Sequence, residues 1–580
     1  MAQPGLHRAF STEILCEVFE HLDLGRPQTE LPIQRFHRRL SELALLRLST
    51  TCRAFSGPAL DVLWRRPPSI LAVLSVLPTL HSDFAEEYYF TTEPNENEWE
   101  RFQAYACRVT DLGFGRDRPQ RITFGQERIS SSVWLFLSRK TPAGQGLFPR
   151  LKRLELFEEA PVRDPGRSLL LSPTLREIRI STALRPGENP NIKFFPGIVP
   201  IVQEALRLVS KLYSLRVSFW GLAHLPNSTA IAASYADLSH LQTLGITNVN
   251  ISLQLLQVLL SAPSLETLEL VIEEIDEELE NVDRPLTSGL LALRRLHLTG
   301  LPDQLALFVD LTAPPHVNAL SLYITADDWN FDDDDDVDEP EFLQDLHRAI
   351  SPLARSNAGS LMIAFLSSRT PPVRDITTVL QPALEIASLA RVTVSGVGQP
   401  DETHFPVSDD ALRTLADAWP HLRELAISCK KVQLPRVTIT DPAAIDRPSL
   451  RALTHFAERC PELVRLVLPT LWFEALPRSP RMHDLVRPPR APHGLRELKT
   501  EHTGPVGDHL VRAMAFAIDN LFPHLDVTDA HADTSGRLTE WGRVEHHLLM
   551  LRYGRTGTHR VPPKGDCGLA EVLMLDSGHV

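Results

Sequence analysis

One short phrase recurs along most of this 580-residue chain and limits the folds open to it. It reads L-x-x-L-x-L, as in FPRLKRLELF from Phe148, APSLETLELV from Ala262 and WPHLRELAIS from Trp419. Its first position falls at Leu151, Leu175, Leu241, Leu265, Leu293, Val317, Leu422, Leu463 and Leu495. The steps from Leu151 to Leu175, Leu241 to Leu265, Leu265 to Leu293 and Leu293 to Val317 are 24, 24, 28 and 24 residues. A weaker copy, LYSLRVSF (Leu212 to Phe219), fills the longest early gap, while SLMIAFL and LARVTVSG are degenerate copies.

The second half of the phrase alternates apolar and polar, which predicts a short strand with one buried face. Between copies the pattern turns helical. SLQLLQVLLSAP (Ser252 to Pro263) has Leu at i, i+2, i+3, i+6 and i+7, while SDDALRTLADAWP (Ser408 to Pro420) offers a Ser cap, two acids in the first turn and a proline stop, and PSLRALTHFAERCP (Pro448 to Pro461) repeats the arrangement. A strand and a helix recurring at roughly 20–29 residues is the leucine-rich-repeat signature. One such unit cannot bury its own apolar side, whereas a stack can. The expected fold is α/β: an irregular solenoid over 147–525, strands concave and helices convex. A doubly wound α/β domain also alternates strands and helices, but it calls for longer Val/Ile-rich strands and a ligand loop.

Composition excludes several classes. An apolar fraction of 43% against 23% charged residues is an ordinary globular balance. No apolar run reaches eighteen residues and the first residues lack a basic start, so neither a membrane span nor a secretory signal is expected. Six scattered cysteines without CxxC read as reduced thiols of a cytoplasmic or nuclear protein, and not as a zinc site. The net charge of −14 is concentrated. Residues 326–345 hold eleven acids and no Lys or Arg, and the remainder is nearly balanced. That run predicts a solvated loop, or a docking patch for a basic partner. No basic face for nucleic acid is visible.

The N-terminus differs from the repeats. STEILCEVFEHL puts Ile14, Leu15, Val18, Phe19 and Leu22 on one helical stripe, with Ser11 as its expected cap. After a connection over Asp23 to Arg39, a second helix carries Leu43, Leu45, Leu46, Leu48, Cys52 and Phe55, and a third turn carries Leu60, Leu63 and Trp64. Three helices in about sixty residues make a marginal core, so the module gains stability by docking on something. EILCEVFEHL followed by LALLRLSTTCRAFSGPALDVLWRR resembles an F-box of the form common in basidiomycete fungi. The matching positions are Glu13, Ile14, Leu15, Phe19, Leu22, Leu45, Leu48, Cys52, Phe55, Pro58, Ala59, Leu60, Leu63 and Trp64. The family's leading Leu-Pro is Phe10-Ser11 here. F-box followed by leucine-rich repeats is itself a family architecture.

The resemblance implies a substrate adaptor. The F-box would dock on a Skp-type adaptor, and through it a cullin, while the repeats hold an unknown target for ubiquitination. It implies docking through Phe10, Ile14, Leu15, Val18, Phe19, Leu22, Leu45, Leu48, Cys52, Phe55, Leu60 and Trp64. The alternatives are an N-terminal cap over the first repeat, and a repeat scaffold with a decayed F-box. Target contacts are expected at the polar positions of the strand face: Arg153, Glu155, Thr267, Glu269, Arg295, His297 and Arg465. The chain has no G-x-S-x-G, H-E-x-x-H, Walker or G-x-G-x-x-G pattern, so no enzyme, cofactor or metal is expected. The domains expected are 1–66 helical module, 67–146 helical connector or cap, 147–525 repeats and 526–580 C-terminal cap or tail.

Overall fold

The computed structural model describes residues 12–22, 32–83, 87–113, 128–142, 144–158, 166–183, 195–209, 211–220, 238–280, 290–325, 339–356, 358–366, 375–396, 407–429, 448–471, 493–503, 508–527 and 540–556. The chain divides into two compact units: Met1–Thr325 with Gln344–Ser356, and Ala326–Leu343 with Asn357–Val580. The division falls inside the stretch that the sequence reads as one repeat region. Most of the acidic run, 326–338, lies outside the described residues, and from Glu339 onward it is helix (α10, Glu339–Ile350) and not loop.

The first unit opens with α1 (Thr12–Glu20), α2 (Pro32–Thr51) and α3 (Arg53–Leu63). Helix α2 starts earlier than the sequence pattern suggests, so part of the expected connection is helical. Proline is tolerated there because a first-turn N–H has no intrahelical partner. Cys52 separates α2 from α3 with extended backbone, φ −156° and ψ 161°. Next come α4 (Ile70–Leu74), β1 (Leu80–Ser82), β2 (Glu87–Phe90), α5 (Glu96–Ala106), β3 (Asp111–Gly113), β4 (Arg128–Ile129) and α6 (Ser131–Lys140). The connector is therefore mixed and not purely helical: β1 pairs antiparallel with β2, and β2 pairs parallel with β4. Helix α5 begins with a capping box, in which Asn95 Oδ1 accepts from the Glu98 N–H (3.0 Å) and Glu98 Oε2 from the Asn95 N–H (2.9 Å).

The repeats follow as β5 (Arg153–Glu158), β6 (Glu177–Ala183), α7 (Phe195–Leu208), β7 (Ser214–Trp220), β8 (Thr243–Ile251), α8 (Leu253–Leu260), β9 (Thr267–Ile275), β10 (Arg295–Gly300), α9 (Pro302–Thr312) and β11 (Ala319–Ile324). In this unit β3 and β5 to β11 form a parallel sheet whose spatial order is the sequence order. The strand order never reverses, as a doubly wound sheet would require. The second unit repeats the plan with β12 (Ser360–Phe365), β13 (Arg391–Gly396), α11 (Asp409–Ala418), β14 (Glu424–Cys429), α12 (Leu450–Arg459), β15 (Arg465–Leu471) and β16 (Glu497–Thr503). It ends in α13 (Asp508–Leu521) and α14 (Glu540–Thr556), with α14 against β16.

The register explains the repeated phrase. Leu154, Ile178, Leu215, Leu244, Leu268, Leu296 and Leu320 pair across strands as one buried row, and Leu156, Ile180, Val217, Ile246, Leu270, Leu298 and Leu322 form the next. The leucine that opens each phrase is buried just before its strand, as at Leu151, Leu175 and Leu265. Each side chain thus leaves water at about 1.5–3 kcal/mol apiece. Serines cap the helices, as expected at Ser408 and Ser449 and also at Ser252: Ser252, Ser408 and Ser449 Oγ accept from the N–H groups of Leu255, Ala411 and Arg451 at 3.3, 3.0 and 3.1 Å.

Consecutive repeats share a further bond pattern. One carbonyl just before each strand accepts two successive N–H groups from the next repeat. Lys152 O accepts from Arg176 and Glu177 (2.8 and 3.0 Å), Arg176 O from Tyr213 and Ser214, Tyr213 O from Gln242 and Thr243, and Gln242 O from Glu266 and Thr267. The same pattern runs through the second unit at Gly359, Ala390, Arg423 and Val464.

Candidate functional site

Two surfaces come into question, the N-terminal helical module and the open face of the strands. In the module, Leu15, Phe19 and Leu45 are buried with Ala59 and Val62, and Leu22, Leu48, Phe55 and Leu63 pack half-buried around them. Phe19 meets Phe55 edge to face, centroids 5.9 Å apart. The stripe on α1 is therefore split. Its Leu15 and Phe19 edge faces α3, while Ile14 and Val18 remain 46% and 51% exposed. Leu15, Phe19 and Leu45, expected from the resemblance at a docking surface, are interior in the folded module. Leu40, Leu43 and Leu46 on α2 lie outward instead, 48–51% exposed. They recur at i, i+3 and i+6, one stripe of a helix that lies outside the docking set implied by the resemblance.

Cys52 is exposed at the helix break. Leu60 and Trp64 are half-buried, and Trp64 rests on Tyr105 of α5 with ring centroids 4.7 Å apart. Phe10 and the expected Ser11 cap lie outside the described residues.

On the strand face of the first unit, the polar positions also line up. One row runs Asp111, Arg153, Glu177, Ser214, Thr243, Thr267, Arg295 and Ala319, and the next runs Gly113, Glu155, Arg179, Arg216, Gly245, Glu269, His297 and Ser321. The charges in these rows are largely spent on one another. Glu177 accepts from Arg153 Nε (2.8 Å) and Arg179 Nε (2.8 Å). Arg153 also lies 3.6 Å from Asp111. Arg216 Nε and Nη2 grip both oxygens of Glu269 at 2.9 and 2.8 Å, a bidentate pair spanning two strand intervals. Gly245, on the strand between, makes the span possible. A Cβ there would stand 3.0 Å from Arg216 Cγ and 3.3 Å from Glu269 Oε2.

Burial alone would push the Glu177 carboxyl up, but Arg179 and Arg153 outweigh it and hold it below the usual carboxylate range. Burial pushes the His297 imidazole down, Glu269 opposes this, and Arg295 and Arg216 add to it. Arg295 Nε donates to Thr267 Oγ1 at 3.0 Å. Glu155 is half-buried beside Gly113, its Oε2 3.5 Å from where a Cβ on that glycine would sit.

Of the seven residues expected to meet a target, Arg153, Glu269, Thr267 and Arg295 thus hold intramolecular partners, and Thr267 is buried. In the second unit Arg465 pairs with Glu497 at 3.2 Å, and Lys499 with the same carboxylate at 2.7 Å.

No family model matches the sequence, and no curated protein does.

Among the described residues of the second unit, Cys460, Trp419 and His493 bond from one repeat to the next. The thiol of Cys460, pushed up to about 12 by burial, donates to Trp419 O at 3.4 Å. Trp419 Nε1 donates to Ala383 O at 3.0 Å, and His493 Nε2 to Cys460 O at 2.8 Å, so four successive repeats are joined by three side-chain bonds. Among the described residues, no group of three or more His, Cys, Asp or Glu could hold a metal ion. No described helix is long and apolar enough to cross a membrane.

Proposed function

We propose that this chain is a non-catalytic substrate adaptor. Its N-terminal module acts as an F-box that docks on a Skp-type adaptor of a cullin-based ubiquitin ligase, and its strands and helices form a leucine-rich-repeat solenoid that holds the target protein in the cytoplasm or nucleus. The observation that carries this reading is the outward apolar set of Ile14, Val18, Leu40, Leu43 and Leu46 on a module whose inner apolar residues are already packed. Five exposed apolar side chains on so small a module favour a partner helix laid against it.

The docking residues are accordingly Ile14 and Val18 with the α2 leucines, while Phe19 and Leu45 shape the helices from within. A pull-down of the intact chain with a Skp-type adaptor tests the reading. Val18→Glu combined with Leu43→Glu is expected to abolish retention, since buried anchors commonly contribute ~2 kcal/mol or more each. No retention of the wild-type chain, or equal retention of the variant, refutes ligase docking. The second reading, a repeat scaffold whose helical module serves only as a cap, draws on Trp64 against Tyr105.

A further inference from the structure

The carbonyl pattern that links the repeats does not begin at the first repeat. Lys152 and Arg153 donate to Thr110 O at 2.7 and 3.1 Å, which makes β3 the first strand of the series. Thr110 and Asp111 in turn donate to Arg65 O at 3.0 and 3.1 Å. Arg65 lies just past α3 at the end of the helical module and belongs to no strand. It supplies the acceptor that a preceding repeat would supply, with the same two-on-one geometry.

Side chains reinforce this junction from both sides. Arg108, beyond α5, donates to the Asp61 carboxylate and to Gly57 O (3.1 Å), gripping α3 along one side. Arg66 Nε donates to Asp111 at 3.3 Å. Arg65 Nη2 reaches Glu20 at 2.9 Å, which brings α1 into the same network, and Trp64 lies on Tyr105. The chain leaving the module is Pro67-Pro68, whose fixed φ angles stiffen it. A hinge needs unbonded backbone and few cross-contacts. This junction has neither.

We infer that the helical module is coupled to the repeat sheet as its zeroth repeat, through Arg65 O and the Arg108 grip on α3, so that it cannot pivot on the sheet. The exposed apolar side chains of α1 and α2 then keep one orientation to the strand face of the first unit. The inference stands on the junction alone and holds whether or not the module binds a ligase.

Hydrogen exchange read by mass spectrometry on the full chain tests it. In increasing urea, segments covering Arg53–Leu63 and Thr110–Gly113 are expected to lose protection together, with one opening free energy. Arg108→Gln is expected to speed exchange in both segments by the same factor, about tenfold, the scale of losing one charged hydrogen-bonded contact. A module that opens while Thr110–Gly113 stays protected overturns the inference. So does an Arg108→Gln effect confined to one segment. Because the readout involves no partner, its failure is distinct from a failed pull-down.

Discussion

His493 shows how much a single side chain can fix. Its ring sits in the second unit, 4% exposed, edge-on to Phe522 at 5.2 Å. Nδ1 accepts from the Leu495 N–H at 3.1 Å while Nε2 donates to Cys460 O, so the neutral tautomer satisfies both nitrogens. A second proton would have to sit on Nδ1, facing a donor. Burial pushes the imidazole down, and the Cys460 carbonyl opposes this only in part. A histidine held low in the folded state gives stability that is present above its unfolded value, about 6.5, and lost as pH falls through the folded value. Urea midpoints of the wild type and His493→Gln are therefore expected to differ at pH 7.5, and the gap to narrow by pH 5. A gap that widens would show that the ring is charged in the fold. The sequence displays this histidine only as one letter before GLREL. Its role depends on a carbonyl thirty-three residues away, which no local pattern reveals.

At the level of elements, the strands with full L-x-x-L-x-L phrases were legible because burial on one face imposes that alternation. The degenerate copies SLMIAFL and LARVTVSG prove to be equal members, β12 and β13, with Leu361, Ile363, Val392 and Val394 buried. Parallel pairing fills in for a weak phrase, because backbone bonds do not depend on which apolar residue stands there. Strand β3 escaped notice at three residues, too short for any period to emerge. Helix α1 was legible as a helix, but its wide apolar arc could not say which edge faced inward; α3 decides that. The split gives a direct contrast. Phe19→Ala is expected to cost about 3 kcal/mol or more by opening the small core, whereas Val18→Ala stays within about 0.5 kcal/mol. Chemical unfolding followed by far-UV circular dichroism measures both, and equal costs would contradict the assigned orientation.

Taken as a whole, the chain shows its repeats in sequence but not its division into two units. Every phrase looks alike on either side of residues 326–356, and only the acidic run marks the place. The C-terminal closure was equally hidden, since it joins side chains far apart in sequence: Trp541, Val544 and Leu548 are buried on α14, and one arginine bonds across to α13 and the residues after it. Arg552 Nε reaches the buried Asp519 carboxylate at 3.4 Å, Nη1 bonds Leu525 O, and Nη2 donates to Phe522 O at 3.3 Å, holding α14 on α13. Arg552→Met is expected to destabilise the second unit by about 2 kcal/mol, because it removes the guanidinium bonds that join α14 to Asp519, Phe522 O and Leu525 O. Thermal melts would register this as a lowered transition, and an unchanged melt would mean that contacts other than those of Arg552 hold α14.

The carbonyl that serves two N–H groups gives each sheet a direction. The start of the first unit presents donors and needs an acceptor, which Arg65 provides. The finish of the second unit presents an acceptor and needs a donor, which the Asp526 N–H provides to Arg496 O at 2.5 Å. Head and tail are thus chemically unlike. The two end pieces cannot trade places, and a duplicated repeat could enter between them without either end having to change.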